Sequence, residues 1–203
     1  MLIDEQMPTW ERRVLAARVV AAPVGATYAA IRRVDFLQSP VIALPNRARA
    51  GFDRLVRPSR QAGPQPSRFG FDQLLEPDGG FHLLAEDPGR ELVLGFVGRW
   101  WERGYGRVEW GPEELRDYQR PGYAVGTWGF SALPYGGKES VLVTDVRVRT
   151  TDAEARRRFR LYWAAVGPFV NAMGGPVLRL VDQEARRVPQ AGSASRAPTT
   201  LGS

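Results

Sequence analysis

The most constraining feature of the sequence is a helix start placed directly after a strand-like run. Residues 140–150 (SVLVTDVRVRT) alternate between apolar and polar side chains, the pattern of a β-strand with one buried face. Residues 151–154 (TDAE) then match a capping box, in which a hydroxyl and a carboxylate each satisfy a backbone N–H at a helix start. The chain therefore passes from a sheet straight into a helix, and the two elements are expected to share a core.

The helix that starts there has one apolar face and two sets of helix-breaking residues. Its apolar face carries Phe159, Tyr162, Trp163, Val166, Phe169, Val170 and Met173. Pro168 is expected to kink the helix, because proline removes a backbone hydrogen bond and clashes with the preceding turn. Residues 174–176 (GGP) are expected to interrupt it, and helical sequence resumes from Val177 to about Arg187.

The N-terminal third of the chain predicts one strand followed by two helices. Residues 12–22 form an apolar, strand-like run. Pro23 fits the first turn of a helix, where its missing N–H costs nothing, and Tyr28 lies on the apolar face of that helix. A second, broken helix is predicted from Ser39 to about Val56, because a capping residue and a proline open it.

The middle of the chain predicts antiparallel strands joined by tight turns. The predicted strands are residues 69–75, 81–86, 91–101, 123–133 and 140–150. Residues 78–80 (DGG), 87–89 (DPG) and 135–137 (YGG) separate the apolar runs and are typical of hairpin turns. Because these strands run together rather than alternate with helices, the fold class is α+β. A curved antiparallel sheet with the terminal helix on its face would bury the apolar faces of both the strands and the helix.

Length and composition fit one soluble domain. The 203 residues are 43% hydrophobic and 25% charged, which is ordinary for a globular protein. We expect residues 1–187 to form the domain and residues 188–203, which are poor in apolar side chains, to be a disordered tail. Acidic residues at the start do not suit a signal peptide, and no apolar run of membrane-spanning length is evident, so a cytoplasmic location without stable membrane insertion is expected.

The net charge of +6 does not by itself indicate a nucleic-acid partner. The densest basic runs, residues 156–158 and 186–187, lie in helical sequence beside acidic residues rather than in one block. This dispersion is typical of a solvated surface, and no nucleic-acid partner is expected.

Four segments resemble the START-like superfamily, also called the SRPBCC or polyketide-cyclase-like group. They are RRVLAARVVAAPVGATYAAIRRVD (residues 12–35), GRELVLGFVGRWW (89–101), RPGYAVGTWGF (120–130) and VTDVRVRTTDAEARRRFRLYW (143–163). The resemblance is closest to an uncharacterised bacterial branch and implies a helix-grip fold, with two short helices after the first strand and a cavity between sheet and long helix. Members bind lipids, hormones or polyketides, and some cyclise or dehydrate them. The branch supplies no catalytic residues.

Strand alternation assigns side chains to the expected cavity when charged residues are taken to mark the outer face. On this rule Arg18 and Glu86 face outwards, whereas Leu15, Val19 and Ala85 face inwards. The alternative is that the inward residues pack against one another as a solid core. The predicted ligand-binding residues are Tyr28, Phe69, Phe71, Gln73, Leu83, Leu94, Phe96, Trp100, Trp128, Phe130, Thr144, Phe159, Tyr162 and Trp163.

No catalytic constellation is recognisable in the sequence. The single histidine, His82, is predicted to point away from the cavity, and cysteine is absent, so neither a nucleophile–histidine pair nor a zinc site is expected. No cofactor is expected. The leading prediction is binding of a hydrophobic or amphipathic small molecule. One alternative is a cyclase, aromatase or dehydratase that acts on a polyketide-like substrate; the substrate would then be oriented by Tyr28, Tyr162, Thr144 and Gln73. Another alternative is a partner-binding module that uses the C-terminal helix. The oligomeric state stays open.

Overall fold

The computed structural model describes residues 1–38, 69–76, 80–102, 106 and 108–187 of the chain. The helix predicted from Ser39 to about Val56 and the tail predicted at 188–203 lie outside the described residues. In the described part, an antiparallel sheet meets one long C-terminal helix. The predicted α+β class is therefore confirmed.

The sheet contains five strands in the order β1-β5-β4-β3-β2, and every neighbouring pair is antiparallel. The strands are β1 (Arg12–Val20), β2 (Phe81–Asp87), β3 (Glu91–Gly98), β4 (Ala124–Tyr135) and β5 (Glu139–Thr150). The helices are α1 (Leu2–Gln6), α2 (Val24–Arg33), α3 (Phe71–Leu75) and α4 (Ala153–Arg187), with 3-10 turns at Phe36–Gln38 and Pro112–Glu114. The predicted strands after residue 80 are thus confirmed, with ends that differ by a few residues. The long helix α4 packs on the face of the sheet that we call the inner face.

The strand predicted at residues 69–75 is wrong, because this segment forms the short helix α3. Phe71 and Leu74 are buried three residues apart, which is a helical spacing. At the start of α3, the side-chain Oε1 of Gln73 accepts a hydrogen bond of 2.7 Å from the backbone N–H of Gly70. Gln73 therefore caps a helix and does not alternate into a cavity.

The helix start at residue 153 is confirmed, but the cap is displaced by one residue. Asp152 Oδ1 accepts a hydrogen bond of 2.8 Å from the backbone N–H of Ala155. The hydroxyl of Thr151 instead donates to the carbonyl oxygen of Tyr123, 3.1 Å away at the start of β4. Asp152 thus starts the helix, and Thr151 fixes the helix start to the neighbouring strand.

The interruption predicted at residues 174–176 is wrong, because α4 is continuous from Ala153 to Arg187 through two prolines. Tertiary packing explains why glycine is present at residue 174. A Cβ atom built on Gly174 would lie only 2.9 Å from the Cβ of Ala16 in β1. Gly174 therefore allows the helix to approach the strand closely. The kink at Pro168 stays a prediction.

Helix α4 is long and apolar enough, by length and composition, to cross a bilayer, which the sequence analysis did not expect. Its contacts point to another role. Buried side chains along one side, among them Phe159 and Val181, pack against β1, β5 and α2. This is the position of a core helix in a globular domain.

The orientation predicted for β1 is wrong. Leu15 and Val19 are 53% and 47% exposed on the outer face, while Val14 and Val20 are buried. Arg18 faces inwards, where its Nε donates a hydrogen bond of 3.0 Å to Asp182 in α4. A charged side chain therefore does not mark the outer face of a strand when a carboxylate on the inner side can pair with it.

A β-bulge inverts the end of β2. Leu83 lies opposite Leu94 on the inner face, but the register shifts before Ala85. Glu86 consequently lies opposite Leu92 and faces inwards, whereas Ala85 faces outwards. The predicted orientations of Ala85 and Glu86 are both wrong, because a bulge reverses every side chain that follows it.

The outer face of the sheet is also covered, by α1 and the residues that follow it. Asp145 and Arg147 of β5 are each only 1% exposed there. Arg147 donates hydrogen bonds to Asp145, to Asp4 at 2.6 Å and to the carbonyl oxygen of Met7 at 2.9 Å. These bonds hold the N-terminal segment against the sheet.

Two neighbouring glycines give a matched test of the helix–strand contact. Gly175 is exposed with no atom near its missing Cβ, so Gly175→Ala should raise the free energy of unfolding by about 1 kcal/mol through helix propensity. Gly174→Ala should instead lower it by about 1 kcal/mol, because the new methyl group pushes α4 away from Ala16. Urea unfolding measures both. Equal stabilisation by the two variants would contradict the close approach.

The Asp182 ion pair predicts a pH-dependent contribution to stability. Burial opposes ionisation, but hydrogen bonds from Arg186 and Arg18 outweigh it and hold the pKa of Asp182 below its ordinary value. The stabilisation is therefore complete above the unfolded-state pKa of about 4 and is lost as the pH falls through the lower folded-state pKa.

Accordingly, Asp182→Asn should lower the free energy of unfolding by about 2 kcal/mol at pH 7, and the difference from wild type should shrink below about pH 4. Glu184→Gln, on the same helix with looser pairs at 3.6 and 4.0 Å, should cost less than about 1 kcal/mol. If the difference in free energy of unfolding between the wild-type protein and Asp182→Asn did not change with pH, the lowered pKa of Asp182 would be refuted.

Candidate functional site

Six half-buried aromatic side chains lie on the inner side of the sheet and on the facing part of α4. We call this set the aromatic surface: Phe81, Phe96, Trp100, Trp128, Tyr162 and Trp163. Five of the six belong to the predicted site, and Phe81 is an addition to it. Large aromatic side chains that stay partly exposed offer apolar area that a ligand can cover.

The rings of the aromatic surface form a nearly continuous row from β2 to α4. The ring centroids of Phe81 and Phe96 are 4.9 Å apart, and those of Phe96 and Trp100 are 5.1 Å apart. Trp100 then lies 5.8 Å from the buried ring of Phe159, which lies 5.5 Å from Trp163. Such contacts fix the rings relative to one another before any ligand arrives.

Gly126 of β4 allows Phe96 to lie flat on the sheet. The two residues are opposite each other in the β3–β4 register. A Cβ atom on Gly126 would lie only 2.4 Å from Cζ of Phe96, so any larger side chain would displace the ring. The glycine therefore shapes the aromatic surface, although it offers no chemical group of its own.

Several predicted site residues form the solid core instead of an open surface. Phe71, Leu94, Phe130 and Phe159 are almost completely buried. The rings of Phe71 and Phe130 are 5.3 Å apart, in direct contact. Phe69 and Leu83 are half-buried and pack against the same core cluster. The predicted set thus divides into core residues and the half-buried rings beside them.

Three of the polar residues predicted to face a ligand are hydrogen-bonded to other protein groups. Trp128 Nε1 donates to the hydroxyl of Thr144 at 2.8 Å, and Gln73 caps α3. The hydroxyl of Tyr28 donates to Glu86, and burial together with this bond raises the pKa of Tyr28 above its ordinary range. These groups are therefore engaged in hydrogen bonds within the protein.

His82 lies on the outer face, as predicted. It is opposite Gly95 in the register, and its ring centroid is 4.4 Å from that of Trp110, edge to face. Among the described residues, no three histidine, cysteine or carboxylate side chains come together as a metal site.

A polar cleft lies at the start of α4, and none of the six rings of the aromatic surface lines it. It is open to solvent, has a volume of about 310 Å³ and is lined by Arg99, Glu102, Pro121, Gly122, Asp152, Glu154, Ala155 and Arg158. No local sequence pattern indicates this cleft, because its residues come from the segment after β3, the loop before β4 and the start of α4.

The cleft is ordered by contacts between these three segments. The guanidinium of Arg99 lies 4.4 Å from the ring centroid of Tyr123. Gly122 has a φ of 85° and donates its N–H to Asp152, the capping residue of α4. The bond from the backbone N–H of Ala155 and then that from Gly122 hold the pKa of Asp152 below its ordinary value.

An antiparallel sheet with its inner face covered by a long C-terminal helix is the helix-grip arrangement. No family model and no curated protein matches the chain. Among solved structures, it is similar to a truncated norcoclaurine synthase from Thalictrum flavum (10% identity, 88% of this chain and 95% of that chain, TM-score 0.40). It is also similar to the Zhui aromatase/cyclase from Streptomyces sp. R1128 (16%, 89% and 98%, 0.31) and to MLL2253 from Mesorhizobium loti (12%, 88% and 99%, 0.40). At these identities the likeness concerns the fold alone.

Proposed function

We propose that the protein binds a hydrophobic or amphipathic small molecule in the cytoplasm, with the aromatic surface as the binding site. The observation that carries the proposal is the row of half-buried rings from Phe81 to Trp163. A ligand that covers these rings gains about 25 cal/mol for each Å² of apolar area removed from water. No partner protein, nucleic acid or cofactor is part of the proposal.

The geometry favours binding because the rings are already positioned. Gly126 seats Phe96, and the buried ring of Phe159 supports both Trp100 and Trp163. A ligand therefore meets a surface whose side chains lose little conformational freedom on binding, which improves affinity. The six residues of the surface carry no carboxylate, amine or imidazole, so affinity for a neutral ligand should not depend on a titrating group.

The neutral fluorescent probe N-phenyl-1-naphthylamine tests this proposal. Trp163→Ala should weaken its binding about tenfold, because a large aromatic contact is lost while alanine preserves the helix. Leu161→Ala is the matched control, since Leu161 lies on the same helix but is 74% exposed. It should leave the dissociation constant unchanged, as should His82→Ala on the outer face.

Fluorescence titration measures these dissociation constants, and thermal unfolding checks that each variant is folded. Equal weakening by Trp163→Ala and Leu161→Ala would show that the probe binds the exposed helix surface. Absence of binding to the wild-type protein would reject the aromatic surface as a hydrophobic site.

An enzyme acting on a polyketide-like substrate is the second candidate, favoured by the Tyr28–Glu86 pair. The bulge in β2 turns Glu86 inwards, where it accepts the hydrogen bond from Tyr28. Nη1 of Arg32 lies 3.9 Å from the same carboxylate, buried and without a hydrogen-bond partner among the described residues. In this candidate the hydroxyl of Tyr28, which is protonated at neutral pH like that of any ordinary tyrosine, donates to a substrate carbonyl, and Glu86 acts as the base.

Tyr28→Phe separates this candidate from simple binding. It removes one hydroxyl, so turnover of a poly-β-ketone substrate to a cyclised product should fall at least about a hundredfold. The affinity for N-phenyl-1-naphthylamine should stay unchanged, since Tyr28 is not part of the aromatic surface. Product analysis by mass spectrometry measures turnover. A wild-type protein that forms no cyclised product, or a Tyr28→Phe variant with full turnover, would eliminate the enzyme candidate with this pair.

A further inference from the structure

The side of α4 that faces away from the sheet carries no charge over about half of the helix. Residues 161–178 (LYWAAVGPFVNAMGGPVL) contain no charged side chain. At 1.5 Å per residue, this uncharged stretch is about 27 Å long. Only 33% of the most apolar 18 residues of α4 are buried, whereas a helix that is apolar on every side is normally covered on every side. Packing on the sheet therefore explains one side of the stretch and leaves the other side unexplained.

The exposed apolar residues of this stretch share one side of the helix, which we call the outward face. They recur at helical spacing, with Phe169 at the edge: Leu161, Ala164, Ala165, Pro168, Phe169, Ala172 and Gly175. Its two large side chains are Leu161, which is 74% exposed, and Phe169, which is 37% exposed. Contiguous exposed apolar surface of this kind is typical of a face that meets a partner or a membrane.

Exposed arginines flank the outward face at both ends. Arg157 and Arg160 precede the uncharged stretch, and Arg179 follows it. None of the three forms an ion pair with a residue that the structure describes. The acidic residues of α4 lie outside the stretch, and each is already paired with an arginine: Glu154, Asp182 and Glu184. The outward face is thus apolar at its centre and positively charged at its ends.

This distribution of charge does not suit a second copy of the chain. In an antiparallel pair of helices centred on the uncharged stretch, Arg160 of one copy would lie opposite Arg179 of the other. In a parallel pair, each arginine would lie beside its own equivalent. Like charges side by side oppose association, and α4 has no unpaired carboxylate to offset them. An anionic lipid surface instead offers apolar acyl chains to the centre of the face and phosphate groups to its ends.

We infer that the protein binds reversibly to anionic membrane surfaces through the outward face of α4. Leu161 and Phe169 insert between the lipids, and the flanking arginines contact the head groups. The helix lies along the membrane and does not cross it, because its opposite side is held against β1 by the close approach of Gly174. This inference goes beyond the proposed function and does not rest on it, since Trp163 packs on the buried ring of Phe159, on another side of the helix.

Co-sedimentation with lipid vesicles tests the inference. One set of vesicles contains phosphatidylcholine alone, and the other contains phosphatidylcholine mixed with anionic phosphatidylglycerol. The wild-type protein should bind the anionic vesicles at least about tenfold more tightly, and added salt should reduce this difference. Leu161→Gln keeps the helix propensity but removes an apolar contact, so it should weaken binding to the anionic vesicles about tenfold. Arg157→Gln combined with Arg160→Gln should weaken it by at least about tenfold.

Two matched variants elsewhere on the surface are the controls. Leu15→Gln removes an exposed leucine from the outer face of the sheet. Arg116→Gln removes an exposed arginine that lies outside α4. Both should bind the anionic vesicles as the wild-type protein does, and thermal unfolding checks that each variant is folded.

Three results would overturn the inference. The first is no binding of the wild-type protein to anionic vesicles, and the second is equal weakening by Leu161→Gln and Leu15→Gln. The third is weakening by the arginine variant without any effect of Leu161→Gln, which would indicate attraction to any polyanion by charge alone.

Trp163→Ala separates this inference from the proposed function. It should weaken the binding of N-phenyl-1-naphthylamine and leave the binding of vesicles unchanged. If vesicles bind and the probe does not, only the proposed function fails. If Trp163→Ala releases the vesicles and Leu161→Gln does not, lipid is a ligand of the aromatic surface, and only the inference about the outward face fails.

Discussion

The packing of α4 across the inner face of the sheet is the constraint on which the other features depend. Asp152 sets where the helix begins, and Gly174 allows it to lie against β1. The bond between Arg18 and Asp182 then ties the far half of the helix to the same strand. Because α4 packs chiefly on β1 and β5, the inner sides of β2 and β3 keep their aromatic rings only partly covered.

The outer face imposes a second constraint, since it is not left to solvent. A cluster on that side, including Met7, Trp110 and Leu115, packs against residues of β3 and β4. Arg147 is buried among its hydrogen-bond partners and lies 4.3 Å from the ring centroid of Trp10. Burying an arginine costs desolvation energy, and several charged and carbonyl acceptors are needed to offset it. The N-terminal segment supplies two of these acceptors, so it is part of the sheet's outer layer.

The candidate site consists of inner-face side chains that are neither buried in the core nor engaged in structural hydrogen bonds. Thr144 and Gln73 are occupied by structural hydrogen bonds, and Phe130 is part of the packed core. What remains is the row of half-buried rings that runs from Phe81 to Trp163.

The sequence alone determined the hairpins of β2 to β5 and the helix start after residue 150. These depend on alternation, turn glycines and a capping carboxylate, all of which act over a few residues. It also predicted the inward rings of Phe96 and Trp128, because β3 and β4 alternate without a break, and the outward position of His82, which precedes the bulge in β2.

Only the tertiary structure decided the orientation of β1, the bulge in β2 and the continuity of α4. Arg18 faces inwards because it pairs with Asp182 of α4, which is 164 residues away along the chain. Glycine at residue 174 is explained by the close approach of α4 to Ala16 of β1. The polar cleft likewise joins Arg99 to Asp152 from separate segments. No local pattern encodes such contacts, since each depends on a partner that becomes a neighbour only after the chain has folded.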